Sequence, residues 1–341
     1  MNHLEYGKII VRMDTISRTP TTSPPRLIAS LVSGFNLVAG RIYLILLPVA
    51  LDLLLWFGPH FRVKILAQPV MDTWISMVGE SEYASMTSAF TRIWTTVLDR
   101  FNLMSMLSTL PIGVPSLFTG ISPVKTPVGS APMIELASWG QAVSGWLLFS
   151  LLGLVLGAIY FNAISRSTAV PAEPFSLGRA IWETGQTIAL TLLLILMLFL
   201  ISIPAVILIT VMALISLALA QFGLLAISFV LLWILIPLIF SPHGIFAARQ
   251  NVVRAMLIST RMVRLLFPGV GLFLLAALIL AQGMGYLWRI PPETSWLSLA
   301  AVLGNAFVST SLLAASFVYY RGAINWVEQL RRGAVAGGIR I

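Results

Sequence analysis

Long apolar stretches dominate the chain, and the longest uncharged interval, Thr184 to Ala248, runs sixty-five residues without an Asp, Glu, Lys or Arg. About twenty apolar residues in a helix cross the hydrocarbon of a bilayer, so this interval alone has room for two spans. Runs of that length occur at about 42–58, 142–164, 187–213, 217–240, 268–288 and 296–320. The pattern predicts an all-α polytopic membrane protein, a bundle of about six transmembrane helices with amphipathic interfacial helices and an external insert. Polar tails occupy 1–26 and 321–341.

Within 27–58, Leu27 to Gly40 is mostly apolar but is broken by Ser30, Ser33, Gly34 and Asn36 and bracketed by Arg26 and Arg41. It reads as an interfacial helix entering the first span, with one long tilted span from Leu27 as the alternative. Nothing between Leu214 and Gly223 is more polar than Ser216 and Gln221, so spans three and four need a very tight turn.

The segment 59–141 is too polar to cross a bilayer and too apolar for a free linker. From Met86, the residues Phe90, Ile93, Trp94, Val97, Leu98, Phe101, Met104 and Leu107 recur at helical spacing, with Thr91, Thr95 and Asp99 opposite, which predicts an amphipathic helix. Five prolines from Pro111 to Pro132, interleaved with Gly113, Gly120 and Gly129, then predict an extended loop. The insert is expected to cap the bundle or lie in the outer interface, with a lid or partner-docking platform as the alternative.

Charge then sets orientation. Only 10% of the 341 residues are charged, against about 25% in soluble domains. An inward amino terminus assigns fifteen of the twenty-one Lys and Arg to the cytoplasmic side with five acids, a net +10 there, while six bases and six acids balance outside and Asp52 completes the total of +9. This bias predicts a plasma-membrane protein with both termini cytoplasmic. Trp56, Trp139, Trp146, Trp288 and Trp296 near the outer boundaries, and Trp182, Tyr319, Tyr320 and Trp326 near the inner ones, agree with that frame. The net charge is thereby explained by topology, with no nucleic acid as partner.

Candidate chemistry is sparse. There is no cysteine, and His3, His60 and His243 lie far apart, so no metal site and no cofactor is expected. Phosphate-binding loops, nucleophile elbows and zinc-protease motifs are absent, which argues against catalysis. The coupling-loop pattern of ABC-transporter permeases also fails, with Val252 where a glycine belongs and Arg264-Leu265 in place of Leu-Pro.

Asp52, the lone charge well inside a span, is the candidate for a substrate or ion. Its structural reading is a buried hydrogen bond, with Asn305, Asn162, Arg62 and Lys64 as partners by type and depth. Gly153 and Gly157, extended by Gly145, have the spacing of close helix packing, within one chain or between two in a homodimer. Pro204 and Pro237 can kink their helices and free backbone carbonyls, as at transporter ion sites. In the basic inner loop 241–267, Arg249, Arg254, Arg261 and Arg264 share one arc of a helix, with Val252, Met256, Met262, Val263 and Leu266 opposite. These arginines are candidates for binding anionic headgroups of the bilayer or a membrane-protein partner.

The run Ser241 to Arg264, with Ala255, Ser259 and Arg261 in its Val-Arg-Ala-Met, Ser and basic positions, resembles the central inner loop of bacterial six-span proteins related to the membrane domain of glycerophosphodiester phosphodiesterases. The entry run Leu-Pro-Val-Ala-Leu-Asp-Leu-Leu-Leu-Trp-Phe-Gly-Pro is similar to uncharacterised bacterial membrane proteins of the same general type. The resemblance covers about a sixth of the chain and implies six helices. The 341 residues contain no phosphodiesterase domain and the insert departs from the compact pattern, so it transfers no catalytic residue. The expected function is a non-catalytic accessory or scaffold component, in lipid handling or complex assembly. A small-solute or ion transporter or channel using Asp52 is the alternative.

Overall fold

A computed structural model describes residues 23–78, 84–109, 111–171 and 174–336. The tail residues His3, Lys8, Arg12 and Arg18, together with Glu173 and Leu110, lie outside the described residues. The fold is helical, with sheet confined among the described residues to short strands in the insert. Five helices are long and apolar enough to cross a membrane, or six if one bent pair counts as a single span.

That pair is α1 (Leu27–Ala39) and α2 (Leu46–Phe57), which are linked by a 3-10 turn at Ile42–Ile45 and bent by 94°. The break falls where the sequence separates an entry helix ending near Gly40 from the first span, but hydropathy does not give the partner of α1, which is α11 (Leu297–Ala336). At Gly34 a Cβ would stand 2.5 Å from the Ala315 nitrogen and the Ser311 carbonyl oxygen, so the two backbones approach as only glycine permits. The buried stripe Ser30, Gly34 and Val38 faces this contact. Instead of lying free as an interfacial element or forming one straight tilted span, α1 is packed along α11. Pro25 lies against Gly322, about two thirds of the way along α11, and Trp56 Nε1 donates to the Glu293 carbonyl, 3.1 Å, just before its start.

The insert follows. Strand β1 (His60–Arg62) pairs in parallel with β4 (Met133–Glu135), closing the insert at its base. Between them come α3 (Lys64–Val78), α4 (Ala84–Arg100) and a small antiparallel pair, β2 (Lys125–Thr126) with β3 (Gly129–Ser130). The amphipathic helix predicted from Met86 is α4, but it stops at Arg100. Asn102 accepts from the Met104 amide at 3.0 Å and starts a 3-10 turn, Leu103–Leu107, in place of the further helical turns that the spacing predicts.

From that turn the chain descends along α5 (Trp139–Ser167) instead of staying above the bundle. A Cβ at Gly145 would meet the Leu103 side chain, one at Gly153 the Met106 and Leu107 carbonyl oxygens, and one at Gly157 the Ile112 carbonyl oxygen. Twelve residues of α5 separate the first of these glycines from the last, a descent of about 18 Å. Irregular backbone is tolerated at such depth only inside protein, and Ile112 and Val114 are fully buried.

The remaining helices divide by packing. α6 (Leu177–Ile215) turns into α7 (Leu217–Leu235) through Ser216 alone, which adopts extended backbone and caps α7 by accepting from the Leu219 amide; the predicted tight turn is this residue. A 3-10 turn, Ile236–Leu238, leads to α8 (Ser241–Ala248), then α9 (Val252–Leu265) and α10 (Phe267–Trp288). The apolar windows of α5 and α11 are each 44% buried inside the chain, whereas that of α6 is 0% buried. The core therefore lies between α1, α2, α5, α8, α11 and the descending loop.

Candidate functional site

Among the described residues two carboxylates are fully buried, at opposite ends of the bundle. At the insert end, Asp52 on α2 receives the descending loop as it turns back. Ser116 Oγ donates to Asp52 Oδ1 at 2.5 Å, the Leu117 amide to both oxygens at 2.8 and 3.1 Å, and the Phe118 amide to Oδ1 at 3.3 Å. Convergent N–H and O–H donors around a carboxylate make a nest that substitutes for water. Each hydrogen bond to a charged group is worth about 1.5–3 kcal/mol, together offsetting a desolvation cost of several kcal/mol. The expected partners are corrected here: Asn162 bonds elsewhere, and Arg62 and Lys64 pair with Asp99 at 3.2 and 2.6 Å. The Lys64 hydrogen bond holds the Asp99 carboxyl below its usual range.

Beside this nest, Glu293 gathers the surrounding loops. Its carboxylate takes Arg100 Nη1 at 2.5 Å and the Val124 amide at 3.0 Å, while its carbonyl takes Trp56. A cavity of about 150 Å³ opens here, lined by Arg100, Leu117, Phe118, Trp288, Arg289 and Ser298 among others. Nearby, His60 Nε2 lies 3.0 Å from the Leu55 carbonyl, and burial lowers its pKa from the usual value.

At the opposite end Glu183 on α6 is held differently. Arg179 Nε donates to it at 2.6 Å one turn away, and Asn162 Nδ2 donates from α5. The same arginine donates through Nη2 to the Phe246 carbonyl at 3.0 Å, which Ser165 Oγ also reaches at 3.0 Å. Arg321 Nη2 donates to the Ser165 carbonyl at 3.1 Å, and Arg41 Nη1 to the Ser167 carbonyl at 2.6 Å. These bonds join α5, α6, α8, α11 and the linker between α1 and α2.

Its centre is α8, buried at every position from Ser241 to Phe246. This corrects the reading of 241–267 as one basic loop. His243 Nε2 lies 2.7 Å from Ser316 Oγ, among the rings of Phe240, Phe317 and Tyr320. The Pro237 carbonyl is satisfied within the chain: Ser259 Oγ donates to it at 2.7 Å and accepts from the Phe240 amide at 3.2 Å. Pro204 lies within continuous α6, on its exposed part.

All four arginines are exposed, but only Arg254, Arg261 and Arg264 lie on one helix, α9; Arg249 ends α8 with φ +52°, so the single helical arc expected for all four is broken between Arg249 and Val252. The opposite arc of Val252, Met256, Met262, Val263 and Leu266 is gathered as predicted, but with Ala255 and Ser259 it packs on protein instead of facing the bilayer. Exposed Val253, Leu257 and Leu265 instead share the outward side with the bases. Gly153 and Gly157 do serve close packing, but against the loop backbone and not another helix, and that occupied face is unavailable to a second copy.

Among the described residues no group of three His, Asp or Glu could hold a metal ion. Residue patterns missed Glu183, His243 and Glu293, whose partners are mostly backbone atoms or residues remote in sequence. Compared with family models, curated proteins and solved structures, the chain matches none.

Proposed function

We propose that the chain is a non-catalytic integral component of the cell membrane that handles lipid. In this reading α1 and α2 together form the first of six crossings, both termini are cytoplasmic, and Arg249, Arg254, Arg261 and Arg264 meet anionic headgroups while Val253, Leu257 and Leu265 enter the acyl region. The supporting observation is how polar and apolar groups are distributed. Both buried carboxylates hold pieces of the fold together, whereas an outward hollow of about 380 Å³ in the elbow between α2 and α5 is apolar, lined by residues such as Tyr43, Leu44, Leu47, Ile159 and Ala163. The resemblance to the membrane domain of glycerophosphodiester phosphodiesterases belongs to the same proposal. Purification in mild detergent, with co-purifying lipids and proteins identified and lipid exchange between vesicles measured, tests it. Retained lipid and accelerated exchange are expected; bare protein with a stable protein partner would favour a scaffold instead.

A second reading, transport, draws on the broken α1–α2 pair and the descending loop, the discontinuous backbone typical of transport sites, with Asp52 between them. An Asp52→Asn protein reconstituted in vesicles that behaves normally in solute uptake and lipid exchange would remove Asp52 from any such path.

A further inference from the structure

The insert leaves half of two amphipathic faces uncovered. On α3 the polar arc carries Gln68, Asp72 and Ser76, yet the apolar Val70, Trp74 and Met77 are also exposed. On α4 the polar arc carries Thr91, Thr95 and Asp99, and the apolar Phe90, Ile93 and Val97 are exposed. Trp74 and Phe90 meet at 5.0 Å between ring centroids, joining the two faces. Between α3, α4 and the first turn of α5 lies a hollow of about 290 Å³, lined by Ala67, Met71, Trp74, Phe90, Trp94, Trp139 and the flank of Val70.

We propose that this hollow binds one acyl chain of a membrane phospholipid from the leaflet on the insert's side. The inference rests on the lipid-handling reading above and names a site for it. The lining contains no carboxylate, guanidinium, amide or hydroxyl side chain. An extended peptide seated there would bury backbone N–H and C=O groups without partners, whereas an acyl chain brings none. The hollow is also continuous with the outward stripe of α5. Trp139 opens that helix, and the exposed Val143, Trp146 and Leu147 follow on the same side at helical spacing. A lipid tail lying against this stripe reaches the hollow without crossing a polar surface. Three tryptophans around the opening suit the depth where acyl chain gives way to headgroup.

The test uses the full chain in vesicles of phosphatidylcholine doped with phosphatidylcholine carrying a nitroxide midway along one acyl chain, read by quenching of tryptophan fluorescence. Native mass spectrometry then counts the phospholipid retained after extraction. Expected are quenching that saturates at a low fraction of labelled lipid and one retained phospholipid per chain. Val70→Lys, at an exposed position, and Ala67→Leu, which fills the hollow, should each lower retention about tenfold with thermal unfolding unchanged. Quenching that rises in proportion to the labelled fraction and is equal in both variants would overturn the site, as would a soluble peptide displacing the quencher. If vesicle-to-vesicle lipid exchange persists in that case, the site alone fails and the lipid-handling reading stands. Loss of both removes the reading as well.

Discussion

Asp52 and Glu183 are equally buried yet are held by different chemistry. Asp52 sits among neutral donors, nearly all from one three-residue stretch of loop, Ser116 to Phe118. Glu183 is held by a guanidinium one turn away and an amide from another helix, and its arginine continues to a third element. At the insert end one carboxylate tethers one loop. At the opposite end charge is spread through a network that ties four helices and the α1–α2 linker together. Removing Asp52 should therefore release a segment, whereas removing Glu183 should loosen the bundle.

The sharpest test of this contrast is Glu183→Ala, which removes the buried carboxylate that accepts from both Arg179 Nε and Asn162 Nδ2. A loss of about 3–5 kcal/mol is expected in thermal unfolding in detergent. Replacing both residues, as Arg179→Met with Glu183→Leu, should recover much of it; equal damage from the double variant would show that the ion pair is not what joins these helices.

Asp52→Ala should cost less, about 3 kcal/mol for the donors left unmatched, and its effect should be local. With no native cysteine, Ile112→Cys gives a clean reporter of the loop tip. Thiol labelling there should be slow in the parent and fast when Asp52→Ala is added, while a cysteine at Ile245 stays protected. Uniform exposure of both would erase the distinction between tether and network.

Gly157→Ala probes the same descent sterically, because its Cβ would stand 2.1 Å from the Ile112 carbonyl oxygen. A loss of about 1–3 kcal/mol is expected, against no loss for Gly185→Ala, where nothing lies within 4 Å. Indistinguishable unfolding of the two would mean that the loop does not lie against α5.

The smallest effect concerns pH. Burial holds the folded His60 pKa below its ordinary 6.5, so the unfolded chain binds the proton more readily. Stability should therefore fall as pH drops below about 6.5, a dependence that His60→Gln should reduce in thermal scans at stepped pH.

Much of the architecture was legible before any coordinates. The helices at 139–167 and 267–288 enclose predicted runs, and the turn after Ile215 falls where polar residues run out. Hydropathy reads these features well because lipid as a solvent penalises charge on every residue alike. The site was less legible. Glycine spacing on α5 announced a close approach without saying to what, since a carbonyl of the insert and a neighbouring helix ask for the same missing Cβ. Asp52 was singled out by position, but backbone amides answer it, and every residue except proline carries one.

The sequence by itself determined which segments avoid water, where bases gather and which side chains are too polar for their surroundings, because these depend on transfer free energies of single residues. Tertiary structure alone decided that α1 lies on α11, that the loop from Leu103 to Phe118 fills the bundle from the insert end, and that Glu183 and His243 are interior. Those outcomes depend on close packing and on matching each buried donor with an acceptor. Such matches link residues as distant as Asp52 and Leu117, and no local pattern records them.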